Sequence, residues 1–540
     1  MKSALALLLM LALCACGGAG AGSGSGSPGT LAVAGGGSAV DPSGPSQDPL
    51  PSPSPGGAPA QPPTSDPIPT GAAPEAPAGP VSSVGSLRSL TDPLSVTQPP
   101  FPTLTHPQAP SPLWGSLGPP YPTNAWWMNL VLKDGNQPVN VLPYLVKTLP
   151  DGLHVCHPER VIAPTCIVSV YLDNLVLGSV EPLGNRRLTG YDPLSVTLEW
   201  PGLPSGTGMD APLVRGMACA TVRYRGLTPR LTTQHAILSV TGGGTRFEVA
   251  LNNQQTWVIY ASEPVTFQWG GSTLTATAPL TGTLRVARLT SRDAAAVLDA
   301  HRDAVPVGGT VELEADGDVG TVRFRWRTQG SGPLLMMALP HHLDSAVGPA
   351  VTGYELRTIK GWMTGLEGAV WELREELPTL SWTAPRPIDP ARVESVRQAL
   401  YRDMGKRPVA TDPYFFGKQA AAMGRLALIA DELGETGKAR EMRSALKAAL
   451  EPWLNGANSD PLRYDTTWGG LVALNGVNDV HADFGAGYYN DHHFHYGYLV
   501  YAAACLSRAD PAWESAHREK LLSLVRDYAN PSPADPRFPL

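Results

Sequence analysis

The sequence predicts a multidomain β + α protein: an N-terminal β-sandwich, a small mixed linker region and a helical domain, preceded by a tail without a core. Three observations predict it. The first hundred or so residues are dominated by Gly, Ser, Pro and Ala. Short β-branched and aromatic segments then recur between about Tyr121 and Thr328, and after Asp412 the apolar spacing changes to three and four residues. The residues beyond the tail exceed what one hydrophobic core usually serves, so two folded domains are expected. The net charge of −7 is modest, and no basic patch alternates with aromatic residues, which excludes nucleic acid as a natural partner.

Taken in chain order, Lys2 precedes an apolar run over residues 4–15 that is too short to span a bilayer as a mature helix. The run ends in Leu13-Cys14-Ala15-Cys16, similar to a bacterial lipobox, which makes 1–16 a signal peptide and Cys16 the lipidated residue. An ordinary secretory signal is the alternative. Both predict export to the cell envelope or beyond, with any membrane contact made only through an N-terminal lipid anchor. Residues 17–112 lack the apolar area to offset ordering entropy and read as a flexible tether, stiffened locally by Pro-X-Pro.

The sandwich is assigned to 113–342. Its expected strands include 195–200, 220–224, 256–260, 265–269 and 321–328, bounded by Gly, Pro, Asn and Asp. In Thr321-Val322-Arg323-Phe324-Arg325-Trp326-Arg327 the polarity alternates, the pattern of a half-buried antiparallel strand. Cys156 and Cys166 are close enough in sequence to pair across a short loop in an oxidising compartment, although spacing alone does not fix pairing, while Cys219 and Cys505 read as small buried hydrophobes. The mixed region is placed at 343–390.

The helical domain is assigned to 391–540. Asp412-Pro413 precedes a helix with Met423, Leu426, Ala430 and Leu433 on one face and Gly434 as its C-terminal stop. Thr436 is expected to cap the next helix, whose stripe is Met442, Leu446, Ala449, Leu450 and Trp453. Two further stripes follow, near residues 489–506 and 511–528.

The run Asp483-Phe484-Gly485-Ala486-Gly487-Tyr488-Tyr489-Asn490-Asp491-His492-His493-Phe494-His495-Tyr496-Gly497-Tyr498 concentrates carboxylates, imidazoles, an amide and tyrosines where a loop enters a helix. Such a segment suits the wall of a cleft for a polar, ring-shaped substrate. It closely resembles the signature of glycoside hydrolase family 81, the endo-β-1,3-glucanases. Pro122-Thr123-Asn124-Ala125-Trp126-Trp127-Met128-Asn129-Leu130, Leu335-Met336-Met337-Ala338-Leu339-Pro340-His341-His342 and Tyr464-Asp465-Thr466-Thr467-Trp468-Gly469-Gly470 are similar to segments of the same family.

The resemblance implies hydrolysis of internal linkages in a β-1,3-glucan, laminarin-like or from fungal walls, with inversion; no cofactor and no metal are expected. It implies Asp491 as general acid and places His495 at the active site. Glycosidic hydrolysis requires an acid on the departing oxygen and a second carboxylate on the opposite sugar face. Crowding by Tyr489, Phe494 and Tyr496 is expected to favour the protonated acid; helix capping is the bland reading of Asp491. Four residues on, His495 shares a helix face with it.

Asp465, Trp468, Asp483, Tyr489, Asn490, His492 and Tyr496 are read as substrate-binding, with a buried tryptophan and structural hydrogen bonding as the alternatives for Trp468 and Asp483. His492, His493 and His495 are also the residue type of a metal site, but adjacent histidines diverge around a helix and no His-Glu-x-x-His arrangement exists. The resemblance further implies an (α/α)6 barrel and a base glutamate well beyond the histidine-rich run. No residue up to Leu540 is assigned that role, and the helices after about Ala391 are fewer than a closed double ring requires, so the barrel reads as incomplete, truncated at the C-terminus. A non-catalytic β-glucan-binding surface lipoprotein is the alternative function.

Overall fold

The computed structural model describes residues 99–539 except 134–137, 159, 378–381, 383, 385, 531 and 533. The signal segment, Cys16 and nearly all of the expected tether lie outside the described residues.

The β part is built on two seven-stranded sheets. One runs, edge to edge, Ile237–Leu251, Thr256–Val265, Leu280–Leu289, Ala220–Leu227, Gly208–Val214, Ser195–Pro201 and Arg187–Asp192. The other runs Phe267–Gly270, Thr273–Ala276, Pro229–Thr232, Leu175–Ser179, Gly152–Cys156, Leu145–Leu149 and Val139–Asn140. All pairings within them are antiparallel. In Ser195–Pro201 the alternation sends Val196, Leu198 and Trp200 inward while Thr197 and Glu199 stay half-exposed. Trp200 Nε1 donates to Leu149 O of the other sheet at 2.8 Å and Tyr224 Oη to Gly178 O at 3.1 Å, so polar groups brought into this core are satisfied across it.

Three expectations need revision. Residues 265–269 are not one strand: Val265 ends a strand of the first sheet and Phe267 starts one of the second, so the chain changes sheets at Thr266. The mixed region is not a separate unit, because strands Ala350–Thr358, Gly361–Glu367 and Val370–Glu376 supply Tyr354, Leu356, Met363, Leu366 and Trp371 to the core of the sandwich. Cys156 and Cys166 are not joined by a disulfide.

Helices α1 (Arg292–Ala300) and α2 (Pro340–Ser345) belong to the β part. The helical part contains α3 (Val393–Asp403), α4 (Pro413–Glu432), α5 (Thr436–Asn455), the short α6 (Leu474–Asn478), α7 (His492–Ser507) and α8 (Pro511–Ala529). Asp412 accepts the Phe415 N–H at 2.8 Å, capping α4, and Gly434 takes the left-handed conformation (φ 73°) just after that helix. Thr436 does not cap: it is the first helical residue of α5, and Glu435 occupies the cap position. Met442, Leu446, Leu450 and Trp453 form the expected buried stripe. α4 also buries a second face of small residues that the sequence reading passed over. There Gly417 and Gly424 let α7 approach so closely that an added Cβ would stand 3.0 Å from the Cβ of Tyr498 and of Cys505.

The last dozen residues assigned to the tether are anchored to the folded part, although most of their side chains stay exposed. Phe101 is buried in the helical core, and strand Thr103–Leu104 runs parallel to Leu462–Asp465, which pairs in turn with Gly470–Ala473.

Candidate active site

The histidine-rich run forms a tight turn over Ala482–Tyr488 and then the start of α7. Asp483, Phe484 and Gly485 are consecutive left-handed residues (φ 57°, 52° and 82°), and Tyr489 and Asp491 are left-handed as well (φ 65° and 54°). Gly485 accepts this freely; each of the others costs about 1–3 kcal/mol, which surrounding contacts must offset.

Those contacts are identifiable. Tyr489 Oη donates to Asp465 Oδ2 at 2.9 Å, and Asp465 Oδ1 accepts the Thr467 N–H at 2.7 Å. His492 lies between two acceptors: Asp527 Oδ2 is 2.5 Å from Nδ1, and the Ala486 carbonyl is 2.7 Å from Nε2. Both ring nitrogens must donate, so His492 is an imidazolium. Burial opposes that charge, but the Asp527 carboxylate holds the pKa above the ordinary histidine value. Asp527 Oδ1 also accepts the Leu471 N–H at 2.6 Å, tying α8 to the strand beneath the turn.

Asp483 and His495 meet behind the turn. His495 Nδ1 donates to the Asp491 carbonyl at 2.8 Å, leaving Nε2 3.6 Å from Asp483 Oδ1. Neither Asp483 oxygen nor His495 Nε2 has a hydrogen-bond partner among the described residues. Burial, reinforced by Asp460 and Asp412, pushes the Asp483 carboxyl up to about 8, and burial lowers His495. At neutral pH the pair is therefore a carboxylic acid facing an uncharged imidazole.

Asp491 is exposed, its carboxylate within 3.2 Å of Asn490 Nδ2, and it makes no capping bond to α7. It lines a cavity of about 270 Å³ with Thr123, Asn124, Tyr489, His492, His493, Asp527 and Tyr528. The aromatic enclosure expected around it is not formed: Phe494 is exposed, and Tyr496 is buried with its hydroxyl on Leu471 O at 2.9 Å.

The structure thus brings Asp491, Asn490, Tyr489 and His492 to the turn and its cavity, and puts Asp465, Trp468, Asp483 and Tyr496 inside the protein. Trp468 is 6% exposed, and its indole N–H bonds Gln108 O at 2.8 Å, matching the buried-tryptophan alternative. Asp527, Tyr528, Thr123 and Asn124 escaped the sequence reading as site residues. So did an aromatic group of Tyr414, Phe415 and Phe484 beside His495, with Lys418 Nζ 5.0 Å from the Tyr414 ring centre. Among the described residues no group of three or more His, Cys, Asp or Glu is placed to hold a metal ion, and no helix is long and apolar enough to cross a membrane.

Residues 106–385 match the glycosyl hydrolase family 81 N-terminal domain and residues 389–540 the C-terminal domain of that family. A glucan endo-1,3-beta-D-glucosidase of Glycine max is 32% identical over 435 residues, covering 77% of this chain and 64% of the relative. A primary septum glucan endo-1,3-beta-D-glucosidase of Schizosaccharomyces pombe is 27% identical over 486 residues, covering 81% of this chain and 47% of the relative. A solved family 81 glycoside hydrolase from Clostridium thermocellum superposes with a TM-score of 0.70 at 20% identity, over 82% of this chain and 64% of that one, a likeness of fold. The chain therefore spans less than two thirds of the length of these relatives.

Proposed function

The chain belongs to glycosyl hydrolase family 81, and on that premise we propose that it acts in the hydrolysis of internal β-1,3-glucosidic linkages, with Asp491 as general acid. The observation that carries the reading is the presentation of Asp491. A left-handed residue at the mouth of a cavity keeps its carboxyl exposed and uninvolved in capping the helix it precedes. Asp491 delivers its proton to the bridging oxygen as the C1–O bond breaks, while water attacks the opposite face, inverts the anomeric carbon and loses its own proton to the surrounding water. His495 acts on the backbone of Asp491, fixing its carbonyl, and Asn490 steadies the carboxylate. Tyr489, Asn490 and His492 line or adjoin the path of the glucan. The helices are read as part of an (α/α)6 barrel, and the lipobox-like start supports export to the cell envelope.

Asp491→Asn is expected to lower laminarin hydrolysis by about 10²–10⁴-fold, the range that general acid catalysis supplies, while laminarin affinity measured by calorimetry stays unchanged. Equal rates for parent and variant would remove Asp491 from the mechanism.

A further inference from the structure

Residues 101–108 precede the sandwich in sequence but join the helical part. Thr103 lies opposite Tyr464 and Leu104 opposite Asp465 in a parallel pair, Phe101 is 3% exposed in the helical core, and Gln108 O accepts the Trp468 indole N–H. Toward the end of this strap stands His106, 4% exposed. Its backbone N–H donates to Thr467 Oγ1 at 2.9 Å, and its ring meets Tyr488 edge-on, 4.9 Å between centres and 89° between planes.

The ring nitrogens are assigned by their partners. Nδ1 lies 3.0 Å from the Gln108 backbone N–H, which can only donate, so Nδ1 carries no proton. The proton is then on Nε2, 2.9 Å from the Gly487 carbonyl, which can only accept. Gly487 sits between the left-handed run and Tyr489, and its other side is closed by backbone: a Cβ at this position would stand 2.0 Å from the Gly476 carbonyl carbon. The turn is thus clamped between Gly476 and His106, one residue from the Ala486 carbonyl that His492 holds.

We propose that His106 is a positioning residue for the general acid: its Nε2–H holds the Gly487 carbonyl and so fixes the turn that presents Asp491 to the cavity. This rests on the functional reading above only for what the turn presents. A segment ahead of the β part thereby completes the helical part's active-site turn, and the hydrogen bond joins residues 381 apart in sequence.

Two near-isosteric variants separate the ring's contacts. The side-chain oxygen of His106→Asn occupies the place of Nδ1 and keeps the Gln108 N–H, but it does not reach Gly487. The amide nitrogen of His106→Gln occupies the place of Nε2 and restores the donor. Hydrogen exchange of the Tyr489 and Asn490 amides, which bond Ala486 O and Gly485 O, reports the turn directly. These amides are expected to exchange about tenfold faster or more in His106→Asn and His106→Ala than in His106→Gln. Laminarin kcat is expected to fall roughly 10–100-fold in the same two variants, with KM within about twofold, and to recover in His106→Gln.

Asn and Gln variants that behave alike in exchange, or a loss confined to KM, would overturn the proposal. Exchange decides the clamp independently of catalysis: the exchange contrast without glucan hydrolysis by any form, parent included, would sink the functional reading and leave the clamp standing.

Discussion

Asp483 shows how far a single residue's chemistry is set by its surroundings. In the sequence it is one acidic residue among several at the head of the histidine-rich run; in the structure it is 7% exposed, with unpartnered oxygens, and holds its proton up to about pH 8. The sign follows from proton counting. Between the ordinary value of 3.8 and about 8 the folded state binds more protons here than the unfolded state. This residue's contribution is fully present below 3.8 and is lost as pH rises through the window, at a slope of up to about 1.4 kcal/mol per pH unit. Asp483→Asn should therefore flatten the dependence of stability on pH and leave the protein more stable than the parent at pH 8. Urea melts of parent and variant at several pH values check this, and parallel slopes would count against a protonated Asp483. Four-residue spacing made the nearness of Asp491 and His495 legible, but not that the contact is to the Asp491 backbone carbonyl and not to its carboxyl. The partners His106 to Gly487 and His492 to Asp527, 381 and 35 residues apart, were not, because no periodicity links them.

At the scale of elements, strands and helices were legible where one face alone is buried, as in Ser195–Pro201 and the α5 stripe. Legibility failed where the backbone departs from its regular form: at the change of sheet at Thr266, and in the left-handed turn ahead of α7. The glycines of that region make opposite predictions despite their common chemistry. Gly487 faces the Gly476 backbone at a distance no Cβ tolerates, so Gly487→Ala must displace the turn. It should cost about 3 kcal/mol, the upper end of the usual range for overpacking, because the backbone it meets cannot give. Gly497 lies inside α7 with nothing within 4 Å of an added Cβ. Gly497→Ala should stabilise by roughly 0.5–1 kcal/mol, because alanine loses less backbone entropy in a helix. Chemical denaturation of the two variants checks both signs; destabilisation by Gly497→Ala would show that the open space is needed by another group.

At the scale of the whole molecule, two hydrophobic cores are joined by polar contacts that converge on one turn. The β-part core reaches Trp468, the strap reaches the helical core through Phe101, and Thr123 and Asn124 share a cavity with Asp491. That convergence places an acid but constrains its partner. An inverting reaction needs a second carboxylate about 6.5–9.5 Å away, with room for water between. Among the described residues the cavity beside Asp491 has one further carboxylate, Asp527, and its oxygens already hold His492 and the Leu471 N–H. Taking a proton from water would neutralise the charge that keeps His492 an imidazolium, at a cost of several kcal/mol for a buried pair. Attack by unassisted water should therefore slow the single step in which Asp491 also protonates the leaving oxygen. Added formate, a small carboxylate able to enter the cavity, is expected to raise laminarin hydrolysis, and Asp527→Asn to lower the melting temperature without removing the formate-supported rate. Turnover that ignores formate and vanishes in a fully folded Asp527→Asn variant would make Asp527 the base and His492 its switchable counter-ion.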